Sequence, residues 1–184
     1  MQEEIDQIIY RFYPKIVSDQ YDYSNTKEYL ERRNVIRSAV SDKSLQSDWS
    51  RLKQKLDAWV VDRSQIIADY SFGGGSPGLH LSFSPKSFGL PTDEVIVITL
   101  VVSVISRFWA YRFTGNDFIQ RYSPKNQEEA AFLERLDHLV KEIFNNHQRL
   151  GAEHLTKEYD DVIIEFEESR NVFYLLFAQH DNWN

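Results

Sequence analysis

VIVITLVVSVISRFWAYRF, residues 95–113, is the most apolar stretch of the chain and the one whose reading decides the fold. Nine of the eleven residues in 95–105 are β-branched, the exceptions being Leu100 and Ser103. Such side chains lose rotamer freedom in a helix and pack well on a pleated surface. Both alternating sets start apolar, with Val95, Val97, Thr99 and Val101 set against Ile96, Ile98, Leu100 and Val102. A strand apolar on both faces is a central strand, covered above and below. Beyond Ser106 the alternation becomes Arg107, Trp109, Tyr111 and Phe113 against Phe108, Ala110 and Arg112. The stretch therefore reads as one long central strand whose far end leaves the core as an aromatic and basic edge. No Gly, Pro or Asn-Gly pair interrupts it, so a hairpin inside the run is not expected. A bend or bulge at 103–106 is expected instead, because nineteen extended residues would overrun a domain of this size.

A membrane-spanning helix fits this stretch poorly. Its purely apolar part is shorter than the roughly 18–20 residues a span requires, and Arg107 and Arg112 fall inside any longer window. The opening residues, MQEEIDQIIYRFYPK, carry acids where a signal peptide carries positive charge. The expectation is a cytoplasmic protein that does not engage a membrane.

At 184 residues the chain reads as a single domain, 1–184. The absence of cysteine excludes disulfides, thiol nucleophiles and thiolate metal sites. The net charge of −7 is uneven. Residues 1–60 hold ten basic and ten acidic side chains, residues 61–124 five and five, and residues 125–184 six and thirteen. The whole surplus thus sits in the last third, which makes a localised negative field and argues against nucleic-acid binding.

Working outward from the central run, the N-terminal side is helical. Ile5, Ile8, Ile9 and Phe12 recur at helical spacing, with Pro14 ending or kinking the helix near Tyr13. Asn25 or Thr26 caps a second helix running to about Val40, whose apolar pattern is weak and interleaved with Arg32, Arg33 and Arg37. In the third helix Leu45, Trp49, Leu52, Leu56 and Trp59 share one stripe, with Ser44 or Ser47 as the expected cap. Residues 60–72 fit a helix or a strand alike, and a break near Asp62 followed by a short extended segment is favoured. GGGSPG at 73–78 reads as a loop, and Leu79, Leu81 and Phe83 alternate with polar residues as a half-buried strand.

On the C-terminal side, FTGNDFIQRYSPKN (113–126) reads as a loop, and Asn126 caps a long helix with a wide apolar face from Phe132 to Phe144. Two apolar runs, 162–166 and 172–177, flank Ser169, Arg170 and Asn171 and read as a hairpin. The expected fold class is α+β: N-terminal helices, an antiparallel sheet with a long central strand, one long late helix packed on it, and a C-terminal hairpin.

No constellation carries recognisable catalysis. Glu134, His138 and Glu142 lie at i, i+4, i+8 and could converge on a metal, but they sit largely opposite the apolar face and read as solvated. His80 lies near Ser82 and Ser84, yet no G-x-S-x-G nucleophile turn is present. GGGSPG lacks the G-K-[ST] ending of a phosphate-binding loop. No catalytic residue, metal ligand or cofactor is assigned.

The strongest signal is acidic. Residues 153–168 hold Glu153, Glu158, Asp160, Asp161, Glu165, Glu167 and Glu168 against one base, Lys157. On a strand, Glu165 and Glu167 would face the same way as Ile163. Crowded carboxylates repel one another, a cost often tolerated where a cationic partner binds, although a solubilising face explains the same pattern. Trp109 and Tyr111, beside Arg107, form the second candidate surface.

YPKI (13–16), TKEYLERR (26–33), LHLSFSP (79–85) and VVSVISRFWAYRF (101–113) together resemble the small immunity proteins of bacterial polymorphic-toxin and contact-inhibition systems. That resemblance implies an acidic, cytosolic, single-domain protein without catalytic motifs. The resulting expectation is a non-enzymatic module that binds a basic toxin domain through Glu158, Asp160, Asp161, Glu165, Glu167 and Glu168, or through Trp109 and Tyr111. The alternative is a small enzyme or ligand-binding domain with a pocket between the sheet and the late helix, lined by His80.

Overall fold

The computed structural model describes residues 1–16, 23–62, 67–69, 71, 76–91, 95–164 and 169–178. In it the stretch 95–113 folds back on itself. β3 (Val95–Ser103) and β4 (Phe108–Gly115) pair antiparallel, with Val102 opposite Trp109 and Leu100 opposite Tyr111. The expected single long strand is thus a hairpin, and its turn lies at 104–107, where only a bend was expected. That turn has neither Gly nor Pro. It is held instead by the Ser103 hydroxyl, which accepts from the Ile105 amide at 3.3 Å, and by the Val104 amide donating to the Pro77 carbonyl at 2.8 Å. A hydroxyl closing a turn on its own backbone is a weaker signal than Asn-Gly.

The fold is α+β. The sheet order is β1 (Ile67–Asp69), β2 (Gly78–Phe83), β3, β4 and β5 (Gln120–Arg121), all antiparallel, with β6 (Gln148–Arg149) running parallel to β4. Helices cover both faces, so both faces of β3 and β4 are buried, as the two apolar sets of the central run require.

One face carries Leu81, Leu100, Val102, Trp109, Tyr111 and Phe113. It packs under α3 (Lys43–Asp57), through Trp49, Leu52 and Leu56, and under the long late helix α4 (Gln127–Ile143), through Leu133, Leu136 and Val140. The 3.6-residue stripes read from the sequence are the ones buried. Asn126 caps α4 as expected, its Oδ1 accepting from Glu129 N at 2.8 Å. For α3 the cap is Asp42 rather than Ser44 or Ser47, its Oδ1 accepting from the Ser44 and Leu45 amides.

The opposite face carries Val101, Phe108 and Ala110. Over it lie α1 (Gln2–Phe12), part of α2 (Lys27–Ser41), and residues from Leu150 to Val162 and from Val172 to Ala178, including α5 (Ala152–Leu155). Thr26 caps α2, accepting from Tyr29 N at 3.2 Å. The weak apolar pattern of α2 has a physical reason: Arg32 is itself buried, its guanidinium 4.4 Å from the Tyr13 ring and its Nη2 donating to Tyr23 Oη at 2.6 Å.

Of the expected C-terminal hairpin, the run 172–177 is helical rather than a strand, and residues 165 and 166 of the first run lie outside the described residues. Val162 makes an isolated bridge with Lys15, and Tyr174–Ala178 is wound as a π-helix. Asn171 starts this helix, its Oδ1 accepting from Tyr174 N at 3.1 Å. A short run apolar at nearly every position fits a buried helix and a buried strand equally well, and the cap decides between them.

Candidate functional site

The acidic segment is held by α1. Helical spacing puts Gln2, Asp6 and Tyr10 on one side of α1, and each meets the chain at 154–161. Gln2 Nε2 donates to Tyr159 Oη at 3.1 Å, and Gln2 Oε1 lies 3.3 Å from His154 Nδ1. Asp6 accepts from Lys157 Nζ at 2.9 Å and from the Tyr159 hydroxyl. Tyr10 Oη donates to both carboxylate oxygens of Asp161, at 3.2 and 3.1 Å. Lys15 Nζ lies 3.5 Å from Asp161 and 3.9 Å above the Tyr10 ring. Backbone bonds from Ile16 N to Asp161 O and from Ile163 N to Pro14 O complete the attachment, each at 2.8 Å.

These contacts set the electrostatics. Burial alone would raise the Asp6 carboxyl, but hydrogen bonds from Tyr159, Lys157 and Gln2 outweigh it and hold the group below the usual carboxylate range. Burial raises the Tyr159 phenol, and the neighbouring Asp6 raises it further. Tyr10 moves the same way, through burial first and then Asp161.

The predicted acidic residues therefore divide. Asp161 is exposed but already met by Tyr10 and Lys15. Glu158 is exposed and accepts from Ser169 Oγ at 3.0 Å, while Asp160 is exposed and uses its carbonyl, not its carboxylate, to accept from Arg170. Glu153 is exposed beside them. Glu165, Glu167 and Glu168 lie outside the described residues. The sequence did not point to α1 as their partner. The i, i+4, i+8 series Gln2, Asp6, Tyr10 is the pattern that could have found it.

The second candidate surface is corrected. Trp109 is fully buried and Tyr111 is 6% exposed, both beneath α3 and α4. Once the central run turns at 104–107, its second half returns through the middle of the sheet instead of leaving it. The Trp109 Nε1–H has no acceptor there.

The space between the sheet and α4 is filled by Leu133, Leu136, Val140 and Ile143 against Leu81, Leu100 and Trp109. His80 is on the other face, its Nε2 2.5 Å from the Phe177 carbonyl and 3.1 Å from Ser76 Oγ. It does not line the sheet–α4 space named in the alternative reading. A shallow groove of about 500 Å³ does run between α3 and α4, where Arg135 lies 4.4 Å over the Trp59 ring and Lys55 pairs with Glu142. Glu134, His138 and Glu142 are exposed on α4, and among the described residues no three His, Asp or Glu side chains are grouped to hold a metal ion. No helix among the described residues is long and apolar enough to cross a membrane. Compared with protein-family models, with curated proteins and with solved structures, the chain matches none of them.

Proposed function

We propose that this protein is a non-enzymatic binding module, an immunity protein that neutralises a bacterial toxin domain by covering it with the acidic surface around Glu158 and Asp160. The observation that carries the reading is that Glu158 and Asp160 are exposed on a segment fastened to α1 along its length. Carboxylates presented on a fixed backbone meet a basic surface without first being ordered, and complementary charge speeds encounter and disfavours wrong partners. The cytoplasm is the location this reading implies.

The test is co-expression with the product of the gene immediately upstream, followed by affinity purification and binding kinetics. The reading expects a stable complex, with an association rate that falls about tenfold or more in the Glu158→Lys/Asp160→Lys variant and loses its salt dependence. No complex at micromolar concentrations, or a complex indifferent to both substitutions, ends it.

A further inference from the structure

α3 and α4 are tied to each other at two levels, and the space between the ties is open. Trp59, two residues past the end of α3, meets α4 edge-on at the Phe132 ring, with centroids 6.4 Å apart, and lies under the Arg135 guanidinium at 4.4 Å. One turn earlier on α3, Lys55 pairs with Glu142. Arg135 and Glu142 are seven residues apart, about 10 Å along the helix. Across that span α3 offers only the small side chain of Ala58, and α4 offers His138 and Leu139, which leaves the groove of about 500 Å³ between the two helices. Its volume falls within the range of small-molecule sites.

The charge of the groove is the reverse of the chain's. Lys55 and Arg135 stand against one acid, Glu142, in a protein of net charge −7. Lys55 and Glu142 answer each other, so the surplus is Arg135. The α4 positions one turn either way, where a pairing acid would stand, hold Ala131, Phe132, His138 and Leu139. Among the described residues Arg135 has no ion pair or hydrogen bond, only its place over the indole. That place is a fixed one, because Trp59 is partly buried, packed on the core and backed by Phe132. A guanidinium stacked on an aromatic face keeps its N–H fork free at the edge, and less freedom is lost when that fork closes on a carboxylate.

We infer that this groove binds a small monocarboxylate with an apolar body, its carboxylate held by the Arg135 fork and its body laid against Ala58, Leu139 and the rim of Trp59. One unanswered cation matches one negative charge. With Lys55 neutralised by Glu142, a dianion such as a phosphate monoester fits poorly. The site is separate from the acidic surface: α3 and α4 cover one face of the sheet, while α1 and the segment it fastens cover the other. Either reading can fail without the other.

The experiment is an NMR titration of the full chain with benzoate at low salt, read at backbone amides and indole N–H groups. Saturable shifts centred on the Trp59 indole, Ala58 and Leu139 are expected, with a dissociation constant of about 1 mM or tighter. Benzamide, the same ring without the charge, and phenyl phosphate, a dianion, should each bind at least about fivefold more weakly. Arg135 and Ala58 are exposed, so substitutions there should leave the spectrum away from the groove unchanged. Arg135→Gln should weaken benzoate about tenfold or more, Arg135→Lys, which keeps the charge without the fork, should fall between, and Ala58→Phe should fill the groove and abolish the shifts. The inference is overturned by the absence of a saturable shift at about 20 mM benzoate. It is equally overturned by benzamide or phenyl phosphate binding as well as benzoate, or by Arg135→Gln or Ala58→Phe binding within twofold of the wild-type chain.

Discussion

The hydroxyl of Tyr159 donates to the carboxylate of Asp6, tying the first helix to the acidic segment 153 residues further on. Lys157 and Gln2 share the same carboxylate, so Asp6 is the hub of the attachment. Tyr159→Phe removes the charge-assisted hydrogen bond to Asp6 and the one accepted from Gln2, without changing ring packing, and should cost about 1–2 kcal/mol. Asp6→Asn should cost at least as much, since it also leaves Lys157 without its ion pair. Urea denaturation at neutral pH measures both. If Tyr159→Phe leaves stability unchanged, the Tyr159–Asp6 hydrogen bond contributes nothing to holding α1.

Three groups give the acid limb of the stability curve one sign. Burial, helped by Arg107, pushes the His147 imidazole below its ordinary value of 6.5 against an opposing hydrogen bond to the Ser103 backbone. Its stabilising contribution is complete above pH 6.5 and declines as pH falls below it, because the unfolded chain then takes up the proton first. Burial of Asp69 would raise its carboxyl, but Lys53, Ser71 and Trp49 outweigh it and lower the group, as their counterparts lower Asp6. Those two contributions are present above the ordinary value of 3.8 and are lost as pH falls through the lowered values. Melting temperature should therefore drop in two stages between pH 7 and 3, and His147→Gln should remove the first. A flat wild-type curve from pH 7 to 5 contradicts this.

Trp109 is buried with its indole N–H unanswered, a state that itself costs about 1–3 kcal/mol. Trp109→Phe loses apolar volume but also removes that donor, so its net cost should stay below about 2 kcal/mol. Trp109→Ala and Leu136→Ala, which only open cavities, should cost about 3–5 and 2–5 kcal/mol. Equal losses for Trp109→Phe and Trp109→Ala would mean the donor is satisfied in solution.

At Gly78 a Cβ would stand 2.5 Å from the Phe177 carbonyl oxygen and 3.1 Å from its Cα. Both are backbone atoms, so the π-helix would have to lift off β2, loosening the Ser76 and His80 contacts to that carbonyl. Gly78→Ala should cost about 1–3 kcal/mol, read as a lower melting temperature. An unchanged value would show that this helix is not fixed against the sheet.

Helices α1, α3 and α4 were legible because each buries one apolar stripe at a 3.6-residue period, while α2 rested on its cap, Thr26 being one of two residues read for it and Asn126 the one read for α4. The β-structure was harder for three separate reasons. The turn at 104–107 is closed by a serine hydroxyl and a carbonyl from residue 77, neither visible as turn chemistry. The run 172–177 is apolar nearly throughout and carries no period. The β4–β5 hairpin hides because Phe118 occupies the position where a reader looks for glycine. Of the candidate site, the exposure of Glu158, Asp160 and Asp161 followed from local charge density. Their attachment to α1 did not, since it joins residues about 150 apart, and Trp109 and Tyr111 were misplaced with the turn.

Helices on both faces of the sheet have a consequence for how the chain is made. The face beneath α3 and α4 is complete once residues 43–144 exist. The other face buries Val101, Phe108 and Ala110 under Leu150, Val162 and Phe177, all of which are synthesised later. A nascent chain that has just finished α4 can close one side of its sheet while α1 and α2 only partly cover the other. For that interval the growing polypeptide presents a one-sided apolar ribbon, the form most prone to premature association and chaperone capture, and the emergence of Leu150, Val162 and Phe177 is what ends it.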